Sequence, residues 1–307
     1  MTLGNVPSSA GHFELRIDRQ VSTAYLKAVD GGHIKTAVID EPVGHENQRI
    51  KHTSVAEIEP FTIEFGLSGA KDVLKWIQAS WRKEFARHSG QISHADFDLY
   101  ETFRHEFFDA LIAETTFPTL DGASKDPAYI KIKLQPERII TQKIQGGARV
   151  TSVGGQKQKL WTASSFRLTM DGIPEFKSVN KIESFTIKQG IKKLYTGEER
   201  FPEIEPTKIE FPHLSGTLAL GYCDALLDWH EASNRTGSSD PKVQKHGSLE
   251  FLGPDNDVLF RIELYEVGLH SFSVVASTAN SDQIKRGKFE LYVGRMDIDG
   301  KGILGLD

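Results

Sequence analysis

The chain has 307 residues, 38% of them hydrophobic and 26% charged, a composition that builds a folded core and excludes a disordered chain. Its net charge of −5 excludes the strong basic excess of a general nucleic-acid binder, though not a local basic patch. Cys223 is the single cysteine, which excludes an internal disulfide and a cysteine-based zinc site and fits assembly in a reducing cytoplasm.

Residues 1–11 are small and polar and read as a flexible tail without the charged start and apolar core of a secretion signal. No apolar run reaches the roughly 18–20 residues that span a bilayer, so no membrane partner is expected. Phe13-Glu14-Leu15-Arg16-Ile17-Asp18 alternates apolar and polar residues, the period of a strand with one buried face. Residues 33–55, with His33, His45 and His52, have weak periodicity and read as a long loop or an irregular hairpin. Ile63 and Phe65 alternate with polar residues as a strand. Val73, Leu74, Ile77, Trp81 and Phe85 then fall at helical spacing. Further strands are expected at Asp96–Leu99, Phe107–Glu114 and Ile130–Leu134, with a linker and one hairpin at 140–164.

The second half repeats this order. Phe166-Arg167-Leu168-Thr169-Met170-Asp171 matches the opening strand, and residues 188–202 match the long loop. Leu220, Cys223, Leu226, Leu227 and His230 form a second helical stripe, followed by strands at Leu249–Phe251, Leu259–Tyr265, Phe272–Ala276 and Phe289–Val293. Phe13 and Phe166 lie 153 positions apart, as do Trp76 and Trp229. Glu57-Ile58-Glu59-Pro60 recurs as Glu203-Ile204-Glu205-Pro206 at a spacing of 146, each followed by Leu-Ser-Gly, at 67–69 and 214–216. The difference implies compensating insertions around this box, where loops tolerate length changes. Self-similarity on this scale means one module written twice. The expected fold is α+β and mainly antiparallel β, two tandem barrel- or sandwich-like modules with one amphipathic helix each. The expected boundaries are 12–139 and 165–298, with tails at 1–11 and 299–307.

Chemistry is sparse. His33, His45, His52, His88, His94 and His105 crowd the first half, but Arg104-His105-Glu106 lacks the second histidine of a zinc-protease motif. Asp297-Ile298-Asp299-Gly300 opens like a calcium loop but lacks its closing glutamate. No nucleophile or phosphate-loop signature occurs, so no catalytic, cofactor or metal residue is assigned. Glu57, Glu59, Pro60 and Glu64, with Glu203, Glu205, Pro206 and Glu210, read as a strand-entry and assembly box. Residues two apart share one face of a strand, where these carboxylates line a channel or pair across subunits. Trp76, Ile77 and Trp229 read as helix–sheet packing residues.

The opening strands, Phe176-Lys177-Ser178-Val179 with Glu183, the charged loop, the proline at strand entry, the tryptophan helix and the closing strand Ala128–Ile139 together resemble the tail tube proteins of contractile phages and contractile injection systems. The resemblance covers 12–139 and 165–298. It implies a structural, non-enzymatic subunit without cofactor, in which six β-rich modules close a ring around a channel that passes DNA or protein cargo. Three copies would supply six modules; a hexamer with two stacked layers is the alternative. Tail tube, hub, spike or sheath proteins are the implied partners, with assembly in the cytoplasm followed by incorporation into a tail or injection particle. A two-domain small-molecule binding protein or enzyme, and an effector or cargo adaptor inside the tube, are the competing readings.

Overall fold

The computed structural model describes residues 11–299 apart from 45–47, 85, 152–160, 197–200, 237–242 and 276–283. Most of both expected tails, Phe85, His45 and part of the expected 140–164 linker lie outside the described residues.

The first half comprises β1 (His12–Ile17), β2 (Gln20–Val21), β3 (Leu26–Asp30), β4 (Ile34–Val43), β5 (Gln48–Ile58), β6 (Phe61–Phe65), α1 (Lys71–Trp81), β7 (His88–Ala95), β8 (Glu101–Phe117), β9 (Leu120–Asp121), β10 (Ile130–Gln135) and β11 (Arg138–Lys143). The second comprises β12 (Phe166–Met170), a 3-10 turn Pro174–Ser178, β13 (Val179–Ile182), β14 (Phe185–Leu194), β15 (Glu203–Glu210), β16 (Leu214–Ala219), a 3-10 turn Leu220–Tyr222, α2 (Asp224–Thr236), β17 (Lys245–Leu252), β18 (Val258–Val274) and β19 (Arg286–Ile298). The pairings are antiparallel, and the fold is α+β, mainly β.

Strand order is the same in the two halves. In the first, β1, β7, β8, β10, β6 and β3 follow one another across the sheet; in the second, β12, β17, β18, β19, β16 and β13 do. The buried faces follow the alternation of the sequence: Leu15 and Leu168, Phe61, Ile63 and Phe65, and Leu249 and Phe251 all point inward. The agreement extends to irregularities. Ladder shifts fall between His88 and Gly90 and between Lys245 and Gly247. Opposite them, Asp109 and Glu266 both take left-handed backbone, with φ of 51° and 55°, the signature of a bulge that bends the strand. The bend lets β8 pair with β7 and β11 before it and with β10 and β14 after it.

The helices pack alike as well. Trp76 and Trp229 are buried, and their indole Nε1 atoms donate to the carbonyls of Ala86 at 3.0 Å and Val243 at 2.8 Å. Ile77 is fully buried beside Trp76. Trp76→Phe and Trp229→Phe each delete one of these bonds and should each cost about 1 kcal/mol. Urea denaturation of the two variants checks this, and a loss in one alone would show that the helices are held differently.

Of the two readings of 33–55, the irregular hairpin is the one found, β4 pairing with β5 with a register shift between Thr36 and Val38. Several other expectations are corrected. Asp96–Leu99 is the turn between β7 and β8, where the Asp96 carboxylate accepts from the Asp98 and Tyr100 amides. Phe272 to Val274 continues β18 and is not a separate strand. Leu227 is exposed, so the second helical stripe runs through Cys223, Leu226 and Trp229. β11 extends to Lys143, past the expected module end at 139.

The box itself is out of register. Pro60 stands before β6, at strand entry, but Pro206 lies inside β15 opposite Ile191. Leu67-Ser68-Gly69 is the turn into α1, while Leu214-Ser215-Gly216 lies within β16. The 153-residue shift of Phe13 and Phe166 carries Phe61 onto Leu214 and Phe65 onto Leu218, which hold the same places in the two sheets. No compensating insertions are needed. From β7 onward the shift is 157, because the sequence from Trp229 to the start of β17 is four residues longer than that from Trp76 to the start of β7.

Candidate assembly interface

The two halves join edge to edge. β14 adds to the free side of β8, with Phe185, Thr186, Ile187 and Lys188 opposite Phe117, Thr116, Thr115 and Glu114. In return β9 adds to β13. Phe117 is fully buried at this joint. Its ring stacks on Phe185 at 5.0 Å and lies 5.6 Å from Phe251 and 6.1 Å from Phe260, all from the second half. Offset stacking of this kind adds to the area buried. Around the rim the Arg82 guanidinium donates to both carboxylate oxygens of Asp297 at 2.9–3.1 Å, and Gln78 Nε2 donates to the Ile298 carbonyl at 2.7 Å. Arg87 bridges Glu137 and the Ile204 carbonyl, and the Ile204 amide donates back to Glu137 at 3.1 Å.

Each half also has an open counterpart of this joint. The position of Phe117 is occupied in the second half by Val274, which is 56% exposed. The position of Ile187, 2% exposed, is occupied in the first half by Ile34, 49% exposed. Phe251 and Phe260, both fully buried, correspond to the half-buried His94 and Phe103. The β4–β5 hairpin is a separate two-stranded sheet with Val38, Val43, Ile50 and Val55 exposed.

The carboxylates of the box do not form one site. Glu64 lies on the outward polar face of β6, where Lys131 at 2.9 Å and Lys27 at 3.4 Å meet it. The Lys131 hydrogen bond, helped by Lys27, holds its carboxyl below the usual range. Thr62, Lys133, Glu114, Thr116 and Thr186 alternate outward on the same strands, with Lys133 and Glu114 at 2.8 Å and Thr116 and Thr186 at 2.9 Å. This surface is a mixed-charge polar face continuous from one half to the other. Glu59 pairs with His33 at 2.6 Å at the base of the β4–β5 hairpin, and Glu57 faces Lys193 at 3.5 Å. Glu203 and Glu205 are exposed on β15, and Glu210, also exposed, meets Lys208 at 2.6 Å.

Sequence reasoning missed a histidine cluster. His94 and His105 sit 5.4 Å apart between Phe13, Phe61 and Phe103. Burial, with the charges of His94 and His33 adding, pushes His105 down to about 4, and burial lowers His94. His105 Nδ1 shares a hydrogen bond with Thr141 Oγ1 at 3.0 Å, while His94 Nε2 is buried without a partner among the described residues. Cross-strand placement of histidines at inward positions was the available signal. Among the described residues no group of three metal-ligating side chains comes together.

Residues 9–140 match the family model of the T4-like virus tail tube protein gp19. Among solved structures, a chain of the sheath–tube complex of an extracellular contractile injection system in the extended state is 19% identical. It matches over 46% of this chain and 95% of its own, with a TM-score of 0.41. A chain of the anti-feeding prophage tube-terminating cap is 15% identical over 47% of this chain and 100% of its own, with a TM-score of 0.39. Hcp1 from Flavobacterium johnsoniae is 14% identical over 46% of this chain and 99% of its own, with a TM-score of 0.30. No curated protein matches the chain by sequence. Residues 9–140, less than half of the chain, are thus similar to the T4-like virus tail tube protein gp19.

Proposed function

We propose that the chain is two tube modules in tandem and that three copies close into a pseudo-sixfold ring with an axial channel. The observation that carries this reading is the edge-to-edge joint between β8 and β14. It already seats one module beside the next, and it leaves an unfilled version of itself at each end of the chain. Heterologous contacts of this kind form rings when the rotation closes, and closure removes exposed sheet edges. A lateral joint favours three copies in one layer over six copies with stacked halves. The polar face with Glu64, Lys131, Lys133 and Glu114 lines the channel, where DNA or a protein cargo passes. A ring with threefold chemistry and sixfold shape suits the junction between a threefold hub or spike and a sixfold tube, with sheath and tube proteins as neighbours. Native mass spectrometry over a range of concentrations tests the stoichiometry. The mass of three chains is expected; a monomer at every concentration, or six chains, would overturn it.

A further inference from the structure

The joint inside the chain defines the joint between chains residue by residue. We propose that the β4 edge of one copy adds to the end of β18 in the next, with Gly32, His33, Ile34 and Lys35 opposite Val274, Ser273, Phe272 and Ser271. The partner is a second copy of this chain. This deepens the ring proposal and rests on it only for closure.

Four observations carry it. First, the 153 and 157 shifts carry the internal register of Phe185–Lys188 on Glu114–Phe117 onto Gly32–Lys35 and Ser271–Val274, with Gly32, at φ 69°, departing from the strand conformation of Phe185. Second, the receiving edge is built the same way. Thr115 and Thr116 pair with Ile132 and Lys131 on their inner side, and Phe272 and Ser273 pair with Phe289 and Lys288. The ladder irregularity lies at the same place, between Ile112 and Glu114 and between Leu269 and Ser271. Third, β18 pairs here only on its β19 side among the described residues, so its outer N–H and C=O groups await a strand. Fourth, the side chains that the internal joint buries are the ones left open at the ends: Ile34 for Ile187 and Val274 for Phe117. Val274 then lands where Phe117 lands inside the chain, on the half-buried pair His94 and Phe103 in place of Phe251 and Phe260.

The two joints are not equal. The internal one has three phenylalanines stacked on Phe117; the external one sets a valine on a histidine and a phenylalanine. The chain–chain joint packs less aromatic surface and also bears the entropy cost of association, so it is the weaker and the ring dissociates into intact chains.

Cysteine pairing tests the register in the full chain, whose only native thiol, Cys223, is buried. Under mild oxidation, His33→Cys with Ser273→Cys should give disulfide-linked dimers and trimers on non-reducing gels. Either variant alone, or His33→Cys with Ser271→Cys, should give at least tenfold less. Equal linkage of the shifted pair, or none from the matched pair in a preparation whose native mass is that of three chains, overturns the joint while the ring stands. Linked dimers and longer open ladders without a three-chain species uphold the joint and overturn the ring. Ile34→Asp supplies a second readout. It should dissociate the assembly while leaving the circular dichroism and melting of the single chain unchanged; an assembly that survives it contradicts the proposal.

Discussion

Phe117→Ala should destabilise the chain by about 3–5 kcal/mol, the cost of deleting a fully buried phenylalanine and leaving a cavity. The side chain has no exposed surface and meets three aromatic rings from the other half. The loss should also change the form of the transition. The two halves share Phe117 and the β8–β14 ladder, so they should unfold together in the native chain and separately in the variant. Urea unfolding followed by circular dichroism and by tryptophan fluorescence reads both effects. Val274→Ala, at the matching position, should shift the single chain by no more than about 0.5 kcal/mol because its side chain is solvated there. Equal losses from the two variants would show that Phe117 is not the pin of the internal joint.

The second large effect is acid sensitivity centred on His105. Its ring is buried, its folded value is pushed down to about 4 from 6.5, and the groups facing it are His94, His33 and Thr141. Between those two values the unfolded chain binds a proton that the folded chain refuses. Stability is therefore complete above about pH 6.5 and falls as the pH drops toward 4, by about 3 kcal/mol in all at 1.36 kcal/mol per pH unit. His105→Ile places the residue found at the same position of the second half, Ile262, which is fully buried. The variant should unfold at nearly the same urea concentration at pH 7 and pH 4.5, apart from the slope left by His94, whereas the native chain should lose midpoint steeply. A native chain with a flat profile, or an unchanged slope in the variant, would contradict the assignment.

How far the sequence discloses this depends on which face of a strand a residue occupies. Inward positions must be apolar and fit neighbours, so Leu15 and Ile17 with the half-buried Phe13 against them, the pair Trp76 and Trp229, and the alternation around Ile132 and Phe289 are legible as core. Outward positions need only be polar. Identical letters there fix no register, which is why Glu57–Pro60 and Glu203–Pro206 match in sequence and yet occupy different places in their hairpins. The true correspondence is carried by weaker likenesses at buried sites: Phe65 with Leu218, Ala70 with Cys223, Val73 with Leu226. The long strand β18 reads as two short ones, Leu259–Tyr265 and Phe272–Ala276, because the bulge at Glu266 resets the two-residue period, whereas of β8 only Phe107–Glu114 reads as strand. The assembly surface was the least legible part. It depends on β14 crossing to the other half, a long-range pairing that no local pattern encodes.

The mixed-charge face and the two open edges acquire a common meaning only if modules alternate around one ring. End-on electron micrographs of the purified assembly test this most directly. Averaged without imposed symmetry, they should show one layer with six similar lobes around a central hole, repeating every two lobes. Six equivalent lobes built from six chains in two layers, or a particle without an axial opening, would contradict the account.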